Sequence, residues 1–168
     1  MSESPIKFCT QLARAIAQGT KTLTYKPLTV AEASALAAGK TPKSPYGQPG
    51  DVLWVDEPWG TARGKIIHLA NCAPDGFRQP VTYPVGYHPG SGPLARANAR
   101  LLLDVVAIDI VNLQAHNEKS AKATVNAPSE GRTTYLDELK AQWATAYYGP
   151  HAWDANPLCW RVKFKQHV

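Results

Sequence analysis

The chain has 168 residues, a formal net charge of +5, 44% apolar residues and 18% charged residues. That composition suits one soluble globular domain, excludes a disordered chain, and contains no apolar run near the ~20 residues a membrane span needs. The start, MSESPIKFCTQ, lacks the apolar core of a signal peptide, which points to a cytoplasmic protein. Cys9, Cys72 and Cys159 are far apart and form no C-x-x-C pair. They read as small buried or half-buried thiols rather than a disulfide framework or a zinc site. Lys and Arg exceed Asp and Glu by three in residues 1–84 and by two in the remainder, so no basic tail stands apart. Such an excess permits an anionic partner without requiring one.

In chain order, Thr10 to Gly19 reads as a helix with Thr10 as its N-cap, an apolar stripe at Leu12, Ala13, Ile16 and Ala17, and Gly19 as its stop. The alternating Thr20, Thr22 and Thr24 suggest a strand entered directly from that helix. Thr29 and Glu32 have capping-box spacing ahead of a helix over Val30 to Ala38. Thr41 to Gly50 is a Pro/Gly loop. Asp51 to Asp56 is a strand with Val52, Trp54 and Asp56 on one face and Leu53 and Val55 on the other. A strand over Lys65 to Ala70 precedes an irregular stretch from Ala73 to Pro93.

Arg100 to Leu113 carries the strongest strand pattern and is long enough to bend around a barrel. Asn117 caps a short helix running to Thr124. Tyr135, Leu136, Leu139, Trp143 and Ala146 recur at helical spacing and are stopped by Gly149-Pro150. Leu158, Trp160, Val162 and Phe164 alternate with Cys159, Arg161, Lys163 and Lys165 in a last strand with a basic outer face. These elements predict a single α+β domain over residues 1–168, built on a small curved sheet or barrel.

No nucleophile elbow, zinc-protease helix or phosphate-cradling loop is present, and the five histidines are scattered, so no metal or cofactor is expected. Trp143 and Trp160 fit core positions. Trp59 and Trp153 lie in Pro/Gly-flanked segments, where a ring can either close a barrel end or stack on a base. Gly19-Thr20-Lys21-Thr22-Leu23-Thr24 places a Lys and a Thr three residues apart after a glycine. Such a pair can serve as base and nucleophile at a barrel mouth, or stand as a surface lysine and strand threonines. A lysine beside Gly19 is expected outside the core.

Four stretches together resemble the ASCH domains of the PUA-like superfamily, in particular the phage and prophage type. They are Pro5 to Phe8 followed by Arg14-Ala15-Ile16-Ala17-Gln18-Gly19-Thr20-Lys21-Thr22-Leu23-Thr24, then Tyr46-Gly47-Gln48-Pro49-Gly50-Asp51-Val52-Leu53-Trp54-Val55-Asp56-Glu57-Pro58-Trp59, then Arg96 to Leu113, and finally Trp153-Asp154-Ala155-Asn156-Pro157 running on to Trp160 and Phe164. The resemblance implies a small PUA-like β-barrel with short flanking helices and a cleft for RNA or a modified nucleobase. Some small members remove the acetyl group from acetylated cytidine with a Lys, a Thr and a Glu. The first two fall on Lys21 and Thr24. Thr124 stands where the acid is expected, and Tyr25-Lys26 replaces an Arg-Arg pair before Pro27. Glu57 and Glu118 remain as alternative carboxylates.

The leading expectation is a module binding RNA, single-stranded nucleic acid or a modified nucleoside. Its basic cleft would use Lys21, Lys26, Arg96 and Arg100, and its aromatic surfaces Tyr25, Trp54 and Trp59. The alternative is an amidohydrolase using Lys21, Thr24 and Glu57. A third reading is a phage protein acting by protein contact. No membrane partner is expected, and the oligomeric state is left open.

Overall fold

The structure, a computed structural model, describes residues 1–72, 82–125, 127–129 and 131–168. Its elements are β1 (Glu3–Lys7), α1 (Thr10–Ala17), β2 (Leu23–Pro27), α2 (Val30–Ala37), β3 (Val52–Asp56), β4 (Trp59–Ala62), β5 (Lys65–His68), β6 (Tyr87–Pro89), β7 (Leu102–Asn112), α3 (Glu118–Lys122), α4 (Tyr135–Ala146) and β8 (Leu158–Gln166). Short 3-10 turns join several of them.

Five strands form a mixed sheet in the order β1-β3-β7-β8-β2, and β4 pairs with β5 and β6 in a second sheet of three. β1 runs parallel to β3, while the other ladders of the larger sheet are antiparallel. The fold is therefore α+β with mixed strand pairing. Among the described residues the ladders do not join β1 to β2, so backbone pairing leaves the expected barrel open along those edges. One bond crosses the gap: Lys26 Nζ, on β2, donates to the Lys7 carbonyl of β1 at 2.7 Å.

The long β7 carries a register irregularity. The register slips between Val105 and Ala107 opposite β8, leaving Val106 as an extra, exposed residue. β3 begins one residue later than expected, at Val52. Val52, Leu53 and Val55 are nevertheless all buried, because β3 is an inner strand covered on both faces. β1 and β4 have no clear pattern in the sequence: only Ile6 of β1 is buried.

The main core sets Ile6, Phe8, Ile16, Leu53, Val55, Leu103, Trp160, Val162 and Phe164 against one another. Trp160 lies within it as expected, and its indole N–H donates to Glu32 at 2.8 Å. Glu32 also completes the capping box with Thr29, so one carboxylate fixes both the start of α2 and its seat on β8. A second cluster holds Tyr25, Leu113, Trp143 and Cys159, and a third holds Ala121, Val125 and Leu139 beneath α3 and α4.

Two local expectations are corrected. The N-cap of α1 is Cys9, not Thr10, because Cys9 has the extended backbone that precedes the first helical residue. Cys9 is also exposed, at the helix mouth; Cys72 is half-buried and Cys159 buried, where desolvation pushes its thiol up to about 12. Residues 73–81 of the expected irregular stretch lie outside the described residues. No described helix is long and apolar enough to cross a membrane.

Candidate functional site

The sequence turns back sharply after α1. Gly19 adopts φ +76°, a left-handed conformation that costs glycine little. Gly19 N–H then bonds the Ile16 carbonyl and Thr20 N–H the Ala15 carbonyl, closing the helix in a Schellman arrangement. The N–H groups of Thr22 and Leu23 next bond the Ala123 carbonyl at the end of α3. Held at both ends, residues 20–22 direct Lys21 inward.

Lys21 is 2% exposed, which corrects the expectation of a lysine outside the core. Its ammonium donates to the carbonyls of Leu23 at 2.7 Å and Thr124 at 2.8 Å, and lies 5.3 Å from the centre of the Phe8 ring. Burial, reinforced by the charge of Lys26, holds its pKa well below the usual lysine range. Two of the amine's N–H bonds are taken up by these two carbonyls.

Beside it opens a cavity of about 430 Å³ at the edge of the large sheet. Because β2 is an edge strand, residues from both its faces reach this space: Thr24 and Lys26 from one, Tyr25 from the other. Phe8, Tyr25, Trp143 and Tyr147 supply aromatic walls, and Thr124, Gln142 and His116 add polar groups. Three lysines, Lys7, Lys21 and Lys26, border it, and no carboxylate does among the described lining residues. Burial lowers Lys26 to about 8, and its amine lies 4.8 Å from the Phe8 ring centre.

His116 was not singled out from the sequence. It is 6% exposed and stacks on Tyr25 with ring centres 3.6 Å apart and planes at 24°. Burial, then the charges of Lys21 and Arg161, push its pKa down to about 3, so the ring is neutral at ordinary pH. Its Nδ1 lies 2.9 Å from Ser120 Oγ, and its Nε2 is buried without a hydrogen bond among the described residues.

Thr124 does face Lys21, but through its backbone. Its carbonyl accepts from the amine, while its hydroxyl donates back to the Ser120 carbonyl at 2.7 Å. Glu118 is used elsewhere, accepting from the N–H groups of Tyr135 and Leu136 at the start of α4.

The other expected residues are not brought to this pocket. Glu57, 2% exposed, is held by Arg100 through two bonds at 2.8 and 3.0 Å. With Trp59 it lines a second, wider cavity of about 830 Å³. Lys7 borders both cavities. Trp59 donates its indole N–H to Gly92, and Gly90 lies against its ring so closely that a Cβ there would sit 2.4 Å from ring carbons. Arg96 pairs with Glu3 at 2.6 Å, and Trp54 is half-buried on β3. Trp153 packs against the second and third clusters, under Lys140. The signals for Phe8, His116 and Tyr147 as pocket residues were absent from the sequence, because three separate segments have to converge before they share a wall. Among the described residues no group of three or more His, Cys, Asp or Glu is placed to hold a metal ion.

Fold and site together define an α+β domain with a lysine-floored, aromatic-walled pocket at an open sheet edge. No family model and no curated protein matches the sequence. Among solved structures, the ASCH domain from Lactobacillus crispatus JV V101 is similar, with a TM-score of 0.44 and 12% identity, covering 98% of this chain and 79% of that one. A DUF984 protein from Enterococcus faecalis V583 is similar with a TM-score of 0.41 and 13% identity, over 99% of this chain and 80% of that one.

Proposed function

We propose that this chain is a single ASCH-type, PUA-like domain that binds RNA, single-stranded nucleic acid or a modified nucleoside, taking a base into the pocket beside β2. The motif stretches support the family. The observation that carries the function is the pocket itself: about 430 Å³, walled by Phe8, Tyr25, Trp143 and Tyr147, bordered by three lysines and free of carboxylates among its described lining residues. The volume lies in the lower part of the ~300–1,000 Å³ range of small-molecule sites. Aromatic walls stack on bases of any sequence, and lysines at the rim meet the phosphates that follow. A strand longer than one nucleotide has a path over Lys7 toward Trp59 in the second cavity. Arg96 and Arg100 contribute less, since Glu3 and Glu57 already neutralise them.

The test is titration of the protein with cytidine, uridine and a short single-stranded RNA, followed by tryptophan fluorescence and calorimetry at several salt concentrations. Binding of a nucleoside, with RNA affinity that falls as salt rises, is expected. Absence of binding to every one of these probes overturns the reading and favours a protein partner.

A second reading, amidohydrolysis of acetylated cytidine, is favoured by one observation: Lys21, with its lowered pKa, and the Thr24 hydroxyl share the same pocket. In that chemistry the neutral amine takes the Thr24 proton and Oγ1 attacks the acetyl carbon. The proton passes to the departing amine of cytidine, and water then cleaves the acyl-threonine to acetate. The carboxylate that the resemblance calls for is absent from the described lining residues, and Glu57 lies in the other cavity. The expected outcome is therefore binding without turnover. Release of acetate and cytidine by the wild-type protein, abolished in Lys21→Ala, would promote this reading over the first.

A further inference from the structure

A buried polar atom without a partner calls for an explanation, since most such atoms in folded proteins are satisfied. His116 Nε2 is one, and its residue lines the proposed base pocket. The other nitrogen shows which form the ring takes. Ser120 Oγ accepts from Asn117 N–H at 2.9 Å and donates to the Asn117 carbonyl at 3.1 Å. With its one proton so placed, the hydroxyl has a lone pair left for the His116 Nδ1–H, 2.9 Å away. Every group of this cap is then satisfied, and Nε2 is left as a bare acceptor.

We propose that His116 is a specificity residue of this pocket, its Nε2 accepting a hydrogen bond from the N–H edge of a pyrimidine base: the amino group of a cytosine or the ring N–H of a uracil. This rests on the base-binding reading and deepens it. Tyr25 holds the imidazole plane by stacking, Ser120 fixes its rotation, and the bond forms only when a ligand supplies the donor. What the ligand must present, an inward N–H, follows from that arrangement. A base that presents an N–H inward satisfies the orphan atom, whereas one methylated at that nitrogen leaves it buried and unpaired.

The experiment uses the full chain, labelled with nitrogen-15 at histidine, together with His116→Phe, which keeps a ring against Tyr25. In the free protein the imidazole shifts should show Nε2 unprotonated and Nδ1 protonated. Saturation with cytidine or uridine should move Nε2 toward a hydrogen-bonded value and leave Nδ1 in place. The wild type should prefer cytidine over N4,N4-dimethylcytidine, or uridine over 3-methyluridine, by at least about tenfold. In His116→Phe that preference should largely vanish while the melting temperature holds. A protonated Nε2 in the free protein, or a methyl preference unchanged in His116→Phe, overturns the role of His116. A wild type that binds neither nucleoside instead overturns the base-binding reading on which it rests.

Discussion

Lys21 and His116 are both basic side chains buried against the same pocket, and both should write their burial into the pH dependence of stability. The folded-state pKa of Lys21 lies well below its unfolded value near 10.4. Between the two, the unfolded chain binds more protons, so stability rises with pH over that window and carries the full charging cost below it. Lys21→Met removes this dependence but strands the Leu23 and Thr124 carbonyls. Denaturant titrations at stepped pH should show the wild-type stability, minus that of Lys21→Met, growing as the pH rises toward ~10. A flat difference would mean that Lys21 stays charged in the fold. For His116 the folded pKa is about 3 against ~6.5 unfolded. Its contribution is present above pH ~6.5 and is lost as pH falls toward 3, by about 1.4 kcal/mol for each pH unit crossed. His116→Phe should therefore resist acid unfolding better than the wild type over that range, and equal acid midpoints would contradict the burial of a neutral ring.

At the scale of elements, α3 is short but sets the pocket. Asn117 accepts from Ser120 N–H at 2.9 Å, and the same turn orients His116 through Ser120 and holds the Lys21 amine through the Thr124 carbonyl. Asn117→Ala should cost about 1 kcal/mol of stability, as lost caps do, and should weaken nucleoside binding more than that small loss explains. Measured affinity that tracks stability alone would separate the cap from the site. β8 is the corresponding element of the core. Trp160 packs among Leu53, Val162 and Phe164 and donates to Glu32. Trp160→Ala should cost about 3–5 kcal/mol, read by chemical denaturation, and a near-wild-type midpoint would show that α2 and the sheet are not joined through this ring.

Across the whole molecule, two cavities meet at Lys7, and the cationic and acidic halves of the expected site are divided between them. Glu57 is assigned a structural task by its two bonds to Arg100, whose side chain retains 24% exposure. Glu57→Gln should then cost on the order of 2 kcal/mol, less than the ~3–5 of a fully buried pair, because water still reaches Arg100. Nucleoside affinity in the Lys21 pocket should be unchanged. A lost affinity would place Glu57 in the binding site after all.

Much of the architecture follows from local pattern. Apolar, β-branched-rich runs marked β3 and β7, period-2 alternation marked β8, helical spacing marked α1 and α4, and Thr29 with Glu32 announced the cap of α2, because each signal depends only on near neighbours in the chain. β1 and β4 gave no such signal: short strands with one or two buried residues are defined by their partners, not by their own composition. The convergence of Lys21 with Thr24, Tyr25 and Lys26 was legible for the same local reason, as they lie within one turn and one strand. Tertiary structure alone decided the rest. It buried Lys21 by tying residues 22–23 to the end of α3, set the Thr124 carbonyl where a carboxylate was sought, and gave Glu57 to Arg100. It also brought His116 from a third segment onto Tyr25. Burial, and the pKa shifts and orphaned atoms it produces, depends on which distant segments exclude water together, and no window of sequence contains that.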